Sequence, residues 1–133
     1  EEVARACRER LVESVRQIWQ QEWGDPSPED VGIVLSGGVD TGAVVDAMKE
    51  VGVKPRFALT IYADASATDR PYAPAIARQH GLEHVEIEVT KDELLAEPLE
   101  LCVRVLHSFD GMELRNSIVV ARAMLEAKKM GIK

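Results

Sequence analysis

The stretch Val31-Gly32-Ile33-Val34-Leu35-Ser36-Gly37-Gly38-Val39-Asp40-Thr41-Gly42 decides how the chain is read. Val31 to Leu35 is a short apolar run that predicts a buried strand. Ser36 to Gly42 predict a Gly-rich loop, and Ala43 to Val51 a helix with Gly52 as its C′ residue. A glycine turn between strand and helix lets backbone N–H groups approach an anion with no Cβ in the way. The helix that follows adds its own unpaired N–H groups and the positive end of its dipole. Ser36 and Thr41 contribute hydroxyl donors. Asp40 would repel a bare phosphate, so its presence points to Mg²⁺ shared between the carboxylate and phosphate oxygens.

Three other readings of the loop compete. A Walker A loop needs a Lys that this stretch lacks. A dinucleotide-binding turn needs G-x-G-x-x-G, and Gly37, Gly38 and Gly42 are spaced differently. Asp64, at the end of the next strand, stands where a ribose-binding acid would, and keeps that alternative open. A tight turn shaped only for the backbone would not need Ser, Asp and Thr together.

Outward from the loop, residues 1–23 carry apolar positions at three-to-four spacing and predict a helix, stopped by Gly24-Asp25-Pro26. Arg56 to Tyr62 is the second expected strand. A polar loop, Ala63 to Arg70, follows it. Pro71 starts a helix that runs to His80 and Gly81. His84 to Val89 alternates as a third strand. Thr90-Lys91-Asp92-Glu93 reads as a capping box, Pro98 as a break before a helix over 99–107, and Asp110-Gly111 as a turn. Ser117 to Met130 is the last helix. Helices alternating with strands imply a parallel sheet with right-handed crossovers.

With 133 residues, 46% of them hydrophobic and 29% charged, one compact domain is expected. No apolar run approaches the ~20 residues of a membrane span. Sixteen Lys and Arg against 23 Asp and Glu give a net charge of −7, which argues against a broad nucleic-acid face. Cys7 and Cys102 form no C-x-x-C, which fits a reducing, cytoplasmic setting. Cys102 reads as a buried thiol. His80, His84 and His107 lack metal spacing and read as structural, as do Asp64 and Asp69. Trp19 and Trp23 read as packing an apolar face. The opening Glu1 is read as a start that is processed, trimmed or cut from something longer.

Ser36-Gly37-Gly38-Val39-Asp40-Thr41 resembles the pyrophosphate-binding loop of the N-type ATP pyrophosphatases, commonly S-G-G-x-D-S. That superfamily includes asparagine, GMP and NAD synthetases and tRNA-thiolating enzymes. Phe109 to Ser117, running into Met130-Gly131-Ile132-Lys133, resembles the asparagine synthetases in particular. So do Asp69 to Ala73 and Gly81 to Glu86. The resemblance covers residues 30–133 and implies a three-layer α/β/α, Rossmann-like domain of the adenine nucleotide alpha hydrolase type. Residues 1–24 would be its N-terminal helix and 30–133 its nucleotide-binding core.

By that resemblance Ser36, Gly37, Gly38, Asp40 and Thr41 would bind ATP phosphates, with Asp40 also on Mg²⁺. Backbone at Leu35 and Ile61 would flank the adenine. Arg115 matches an Arg placed near the reacting phosphate, where it would stabilise growing charge. Gly42 replaces a frequent second Ser, and Met112 and Glu113 replace Thr residues of some synthetases. The implied reaction activates a carboxylate, aspartate in the namesake enzymes, as an acyl-adenylate with release of pyrophosphate. Ammonia then displaces AMP. No N-terminal catalytic Cys is present, so a glutaminase domain or subunit would lie elsewhere. The family continues past G-I-K with a fourth strand and an acidic loop. The chain is therefore expected to stop before that strand, leaving an open sheet edge through which copies could pair.

Overall fold

The computed structural model describes residues 1–24, 26–63 and 68–132. Three strands, β1 (Gly32–Val34), β2 (Phe57–Tyr62) and β3 (Glu83–Glu88), form one parallel sheet in the order β1-β2-β3. Gly32 lies opposite Phe57, and Phe57 opposite Glu83. Among the described residues, β1 pairs only with β2.

Side chains of a strand alternate between faces. Ala58 of β2 therefore faces one side of the sheet, and Phe57 and Leu59 the other. Two helices, α2 (Val39–Val51) and α3 (Tyr72–Gln79), make the crossovers and share the Ala58 face. Val45, Ala73 and Ala77 pack there with Leu35. Alanines at 73 and 77 bring α3 close to the sheet. On the opposite face Ala123 of α6 (Gly111–Lys129) packs on Phe57 and Leu59. Two shorter helices, α4 (Lys91–Leu95) and α5 (Glu97–Leu106), close that layer: Leu94 and Cys102 cluster with Val89 and Ile118. A first helix, α1 (Glu2–Gln17), lies outside α2. Trp19, in a π-helical turn over Ile18–Glu22, packs on Met48 and Val53. The layers are helix, sheet, helix, as expected, and no helix among the described residues is long and apolar enough to cross a membrane.

Several boundaries differ from the sequence reading. The first helix changes to π geometry after Gln17 rather than running unbroken to 23. Trp23 is 57% exposed rather than packed, touching Trp19 with ring centroids 6.2 Å apart. Helix α2 begins at Val39, so Asp40 and Thr41 belong to its first turn rather than to the loop. Helix α5 begins at Glu97 and takes Pro98 into its first turn, where a missing N–H costs no bond. Helix α6 begins at Gly111 rather than Ser117. There the Asp110 carboxylate accepts N–H bonds from Met112 (3.0 Å) and Glu113 (2.9 Å), which offsets the poor helix propensity of glycine. The Thr90–Glu93 capping box and the left-handed Gly52 at the end of α2 are as read from the sequence. Asp64 lies outside the described residues.

Candidate functional site

The loop is built from its entry strand. Leu35 is wholly buried, and its N–H donates to the Leu59 carbonyl at 2.9 Å. Its own carbonyl accepts from the buried Thr60 hydroxyl at 2.6 Å. That hydroxyl has one proton, now committed, so it accepts from His84 Nε2–H at 2.8 Å. A hydrogen-bonded line thus runs from β3 through β2 to the last residue before the loop. Both backbone polar groups of Leu35 are committed within the fold. Ile61 is half-buried on the α6 side of the sheet.

Gly37 then takes φ +89°, in the left-handed region where L side chains are strained. Space forbids a side chain as well: a Cβ there would stand 2.1 Å from the Asp69 carbonyl oxygen and 3.0 Å from the Ala73 nitrogen. The loop is wedged against the start of α3 by glycine alone.

Gly38 is the N-cap of α2, with φ −71° and ψ 161°, and no side chain caps the helix. The first N–H groups of a helix have no intrahelical partner. Around this open end stand the Ser36 and Thr41 hydroxyls, 3.2 Å apart. Ser36 Oγ accepts from the Gly38 N–H at 3.2 Å, and Thr41 Oγ1 donates to the Gly38 carbonyl at 3.1 Å. A groove of about 770 Å³ opens beside the loop between α2 and α3, bordered by Gly38, Val39, Asp46, Asp69 and Tyr72. Ser36, Gly37, Gly38, Asp40 and Thr41 are therefore brought together on one turn.

Asp40 is exposed in the first turn of α2. The Asp69 carboxylate lies 3.6 Å from where a Cβ on Gly38 would be. No three His, Cys, Asp or Glu side chains among the described residues gather into a metal cluster. One or two carboxylates beside a phosphate site suit Mg²⁺, which keeps waters and takes most other ligands from phosphates. The Asp40 and Asp69 carboxylates are donors of the kind Mg²⁺ takes, and are too few to hold it by themselves.

Arg115 stands apart from the loop. Leu114 and Ile118 cluster with Ile61 and Val89, near the carboxyl ends of β2 and β3, so the start of α6 lies at the loop's end of the sheet but on its other face. Arg115 is exposed there, and no hydrogen bond or ion pair holds it among the described residues. Of the two cysteines, Cys7 is exposed on α1, while burial of Cys102 pushes its thiol pKa up.

Three supporting residues escape a reading of the sequence for chemistry. Thr60 could have been found, as the polar residue in the run Phe57-Ala58-Leu59-Thr60-Ile61. Asp69 braces Gly37 through its backbone carbonyl, which leaves no side-chain signature. Arg70 lies over the Tyr62 ring, 3.7 Å from its centroid, and donates to the Tyr62 hydroxyl at 2.8 Å, holding the end of β2.

With this geometry in place, comparison with known proteins is direct. The family model described as asparagine synthase matches residues 6–133. The chain belongs to the asparagine synthase family. It is accordingly a PP-loop domain of an ATP-utilising family. A solved structure similar to this asparagine synthase-family domain is the NH3-dependent NAD synthetase from Campylobacter jejuni subsp. jejuni NCTC 11168, in complex with the nitrate ion. The TM-score is 0.54 at 19% identity, over 89% of this chain and 49% of that one. That likeness is one of fold, and this chain spans about half the length of the synthetase. Comparison with curated proteins gave no match.

Proposed function

We propose that the chain binds Mg·ATP at the Ser36–Thr41 loop and serves the carboxylate-activating half-reaction of an amide-forming ligase. The observation that carries this reading is the uncapped start of α2, flanked by two hydroxyls and approached through a glycine wedge that no other residue can replace. Backbone N–H groups there point at an anion at no cost in reorganisation, and the helix dipole favours its charge. Ser36 and Thr41 would orient phosphate oxygens. Asp40, with Asp69 behind the loop, would hold Mg²⁺, which neutralises phosphate charge when bound.

In the proposed reaction a carboxylate oxygen of the acceptor attacks the α-phosphorus, and the bond to pyrophosphate breaks. Ammonia then attacks the acyl carbon and AMP leaves. Arg115 would meet the charge that grows on the α-phosphate in the first step. Aspartate is the acceptor implied by the family's name. The structural likeness to an ammonia-dependent NAD synthetase favours ammonia as the nucleophile on a different acceptor. A glutaminase domain or subunit elsewhere would supply the ammonia, within the cytoplasm.

Isothermal calorimetry tests the reading. Mg²⁺-dependent ATP binding that weakens at least tenfold in Asp40→Ala supports it; binding equal in the variant removes the metal role, and no binding overturns the loop assignment. Arg115→Ala should lower adenylate formation with little change in ATP dissociation constant, because its partner charge exists only in the transition state.

A further inference from the structure

Away from the loop, the outer surface of α5 and α6 is apolar to an unusual degree. A groove of about 450 Å³ runs between the two helices, bordered by Leu101, Val105, Asn116, Val120 and Met124. Val105 is 65% exposed, Val120 48% and Met124 50%. The spacing explains why one strip forms: Met112, Asn116, Val120 and Met124 recur every fourth residue, so they follow one side of α6. Phe109 and Met112, 86% and 61% exposed, continue the strip around the turn between the helices. The buried side of α6 already serves the sheet through Ile118, Ala121 and Ala123, so this strip is not the core-facing stripe.

We propose that this face is where a second copy of the chain docks, α5–α6 against α5–α6 about a two-fold axis. Three observations favour a copy over another occupant. The first is area. Six large apolar side chains, counting Leu106, leave on the order of 600 Å² in water, at the upper end of the largest patch on a typical monomer. Two such faces bury about 1,200 Å², the lower limit of a specific stable interface. The second is charge. Every residue bordering the groove is uncharged, in a chain of net charge −7. Two acidic copies can meet over this groove with ionised groups such as Glu113 at its rim rather than within it, whereas a charged partner would find nothing in the groove to pair with. The third is self-complementarity. Asn116 and Ser117, at the middle of the groove, each carry donor and acceptor, so each can pair with its symmetry mate.

An interface at this lower limit fits a reversible dimer, and a dissociation constant in the micromolar range, about 1–100 μM, is what the experiment is set to read. The proposal concerns a surface separate from the PP-loop and does not depend on nucleotide binding. It also differs from pairing through the free side of β1.

Sedimentation velocity of the full chain over about 1–100 μM tests it. A concentration-dependent shift to twice the monomer mass is expected. Val120→Glu and Met124→Lys, tested separately, should each weaken association at least tenfold with the circular dichroism spectrum unchanged. Val3→Glu, a change at an exposed apolar residue on α1, should leave association as it was. Either groove variant suffices if the other folds poorly. A chain that is monomeric across the whole range overturns the proposal. So does a dimer indifferent to both groove variants, which would place association on another surface such as the β1 edge.

Discussion

Helices α2 and α6 both begin at the carboxyl end of the sheet, and they begin in opposite ways. The start of α6 is closed by its own neighbour: Asp110 takes the N–H groups of Met112 and Glu113. The start of α2 has no side-chain cap. Besides the local bonds of Ser36 and Thr41 to Gly38, what holds it lies far along the chain, in the Thr60 hydroxyl on the Leu35 carbonyl and the Asp69 carbonyl against Gly37. The difference teaches where donors remain available. A local cap spends the helix's first N–H groups on stability; support from remote residues fixes the turn while leaving those groups for a ligand.

The two ends can be set against each other by their glycines. Gly37→Ala should cost well over ~3 kcal/mol, because a strained φ alone costs about 1–3 kcal/mol and the new Cβ also overlaps a carbonyl oxygen. Gly111→Ala, in open space at the start of α6, should stabilise the chain by up to about 1 kcal/mol. Urea unfolding of the pair checks both. Equal effects would mean that the loop is not wedged.

Thr60→Val comes next. It keeps the shape of the side chain but strands the Leu35 carbonyl and His84 Nε2, at a cost of about 1–3 kcal/mol. ATP binding should fall with it, since the loop's anchor is lost. Asp110→Ala should cost about 1 kcal/mol, the ordinary worth of an N-cap, and leave ATP affinity unchanged. An Asp110→Ala chain with weakened ATP binding would break the distinction between the two helix starts.

The smallest effect is at α4, a third helix start and one closed by side chains. The Thr90 backbone N–H and hydroxyl both donate to Glu93, at 2.7 and 2.8 Å, and hold its carboxyl below the ordinary value of 4.5. A carboxylate depressed in the folded state stabilises fully above its unfolded pKa. That contribution is lost as pH falls through the folded value. Protection of the α4 amides, exchange relative to the unfolded chain at the same pH, should therefore fall below about pH 4.5, and Glu93→Gln should remove that dependence.

The same contrast marks how far the sequence could be read. Locally encoded features are legible: the strand–loop–helix at 31–51, the Thr90–Glu93 box, the glycine ending α2, the alternation of strands and helices. The start of α6 was misplaced because Asp110-Gly111 carries turn residues, and the carboxylate that makes Asp110 a cap also makes it a turn former. Of the supports of the loop, Thr60 stands out as the polar residue of an apolar strand but its partner Leu35 does not, and Asp69 acts through a backbone oxygen that leaves no mark in the sequence. Arg115 had a family resemblance but no local signal. The structure sets it at the carboxyl end of the sheet and away from the loop.

The central claim is that the first N–H groups of α2 receive phosphate oxygens. Amide ¹H–¹⁵N chemical shifts followed during titration with Mg·ATP test it most directly. The account predicts large, saturable shifts at Val39, Asp40 and Thr41, and shifts near zero at the capped amides of Met112 and Glu113. Saturable shifts confined to other residues, with 39–41 unmoved, would contradict it.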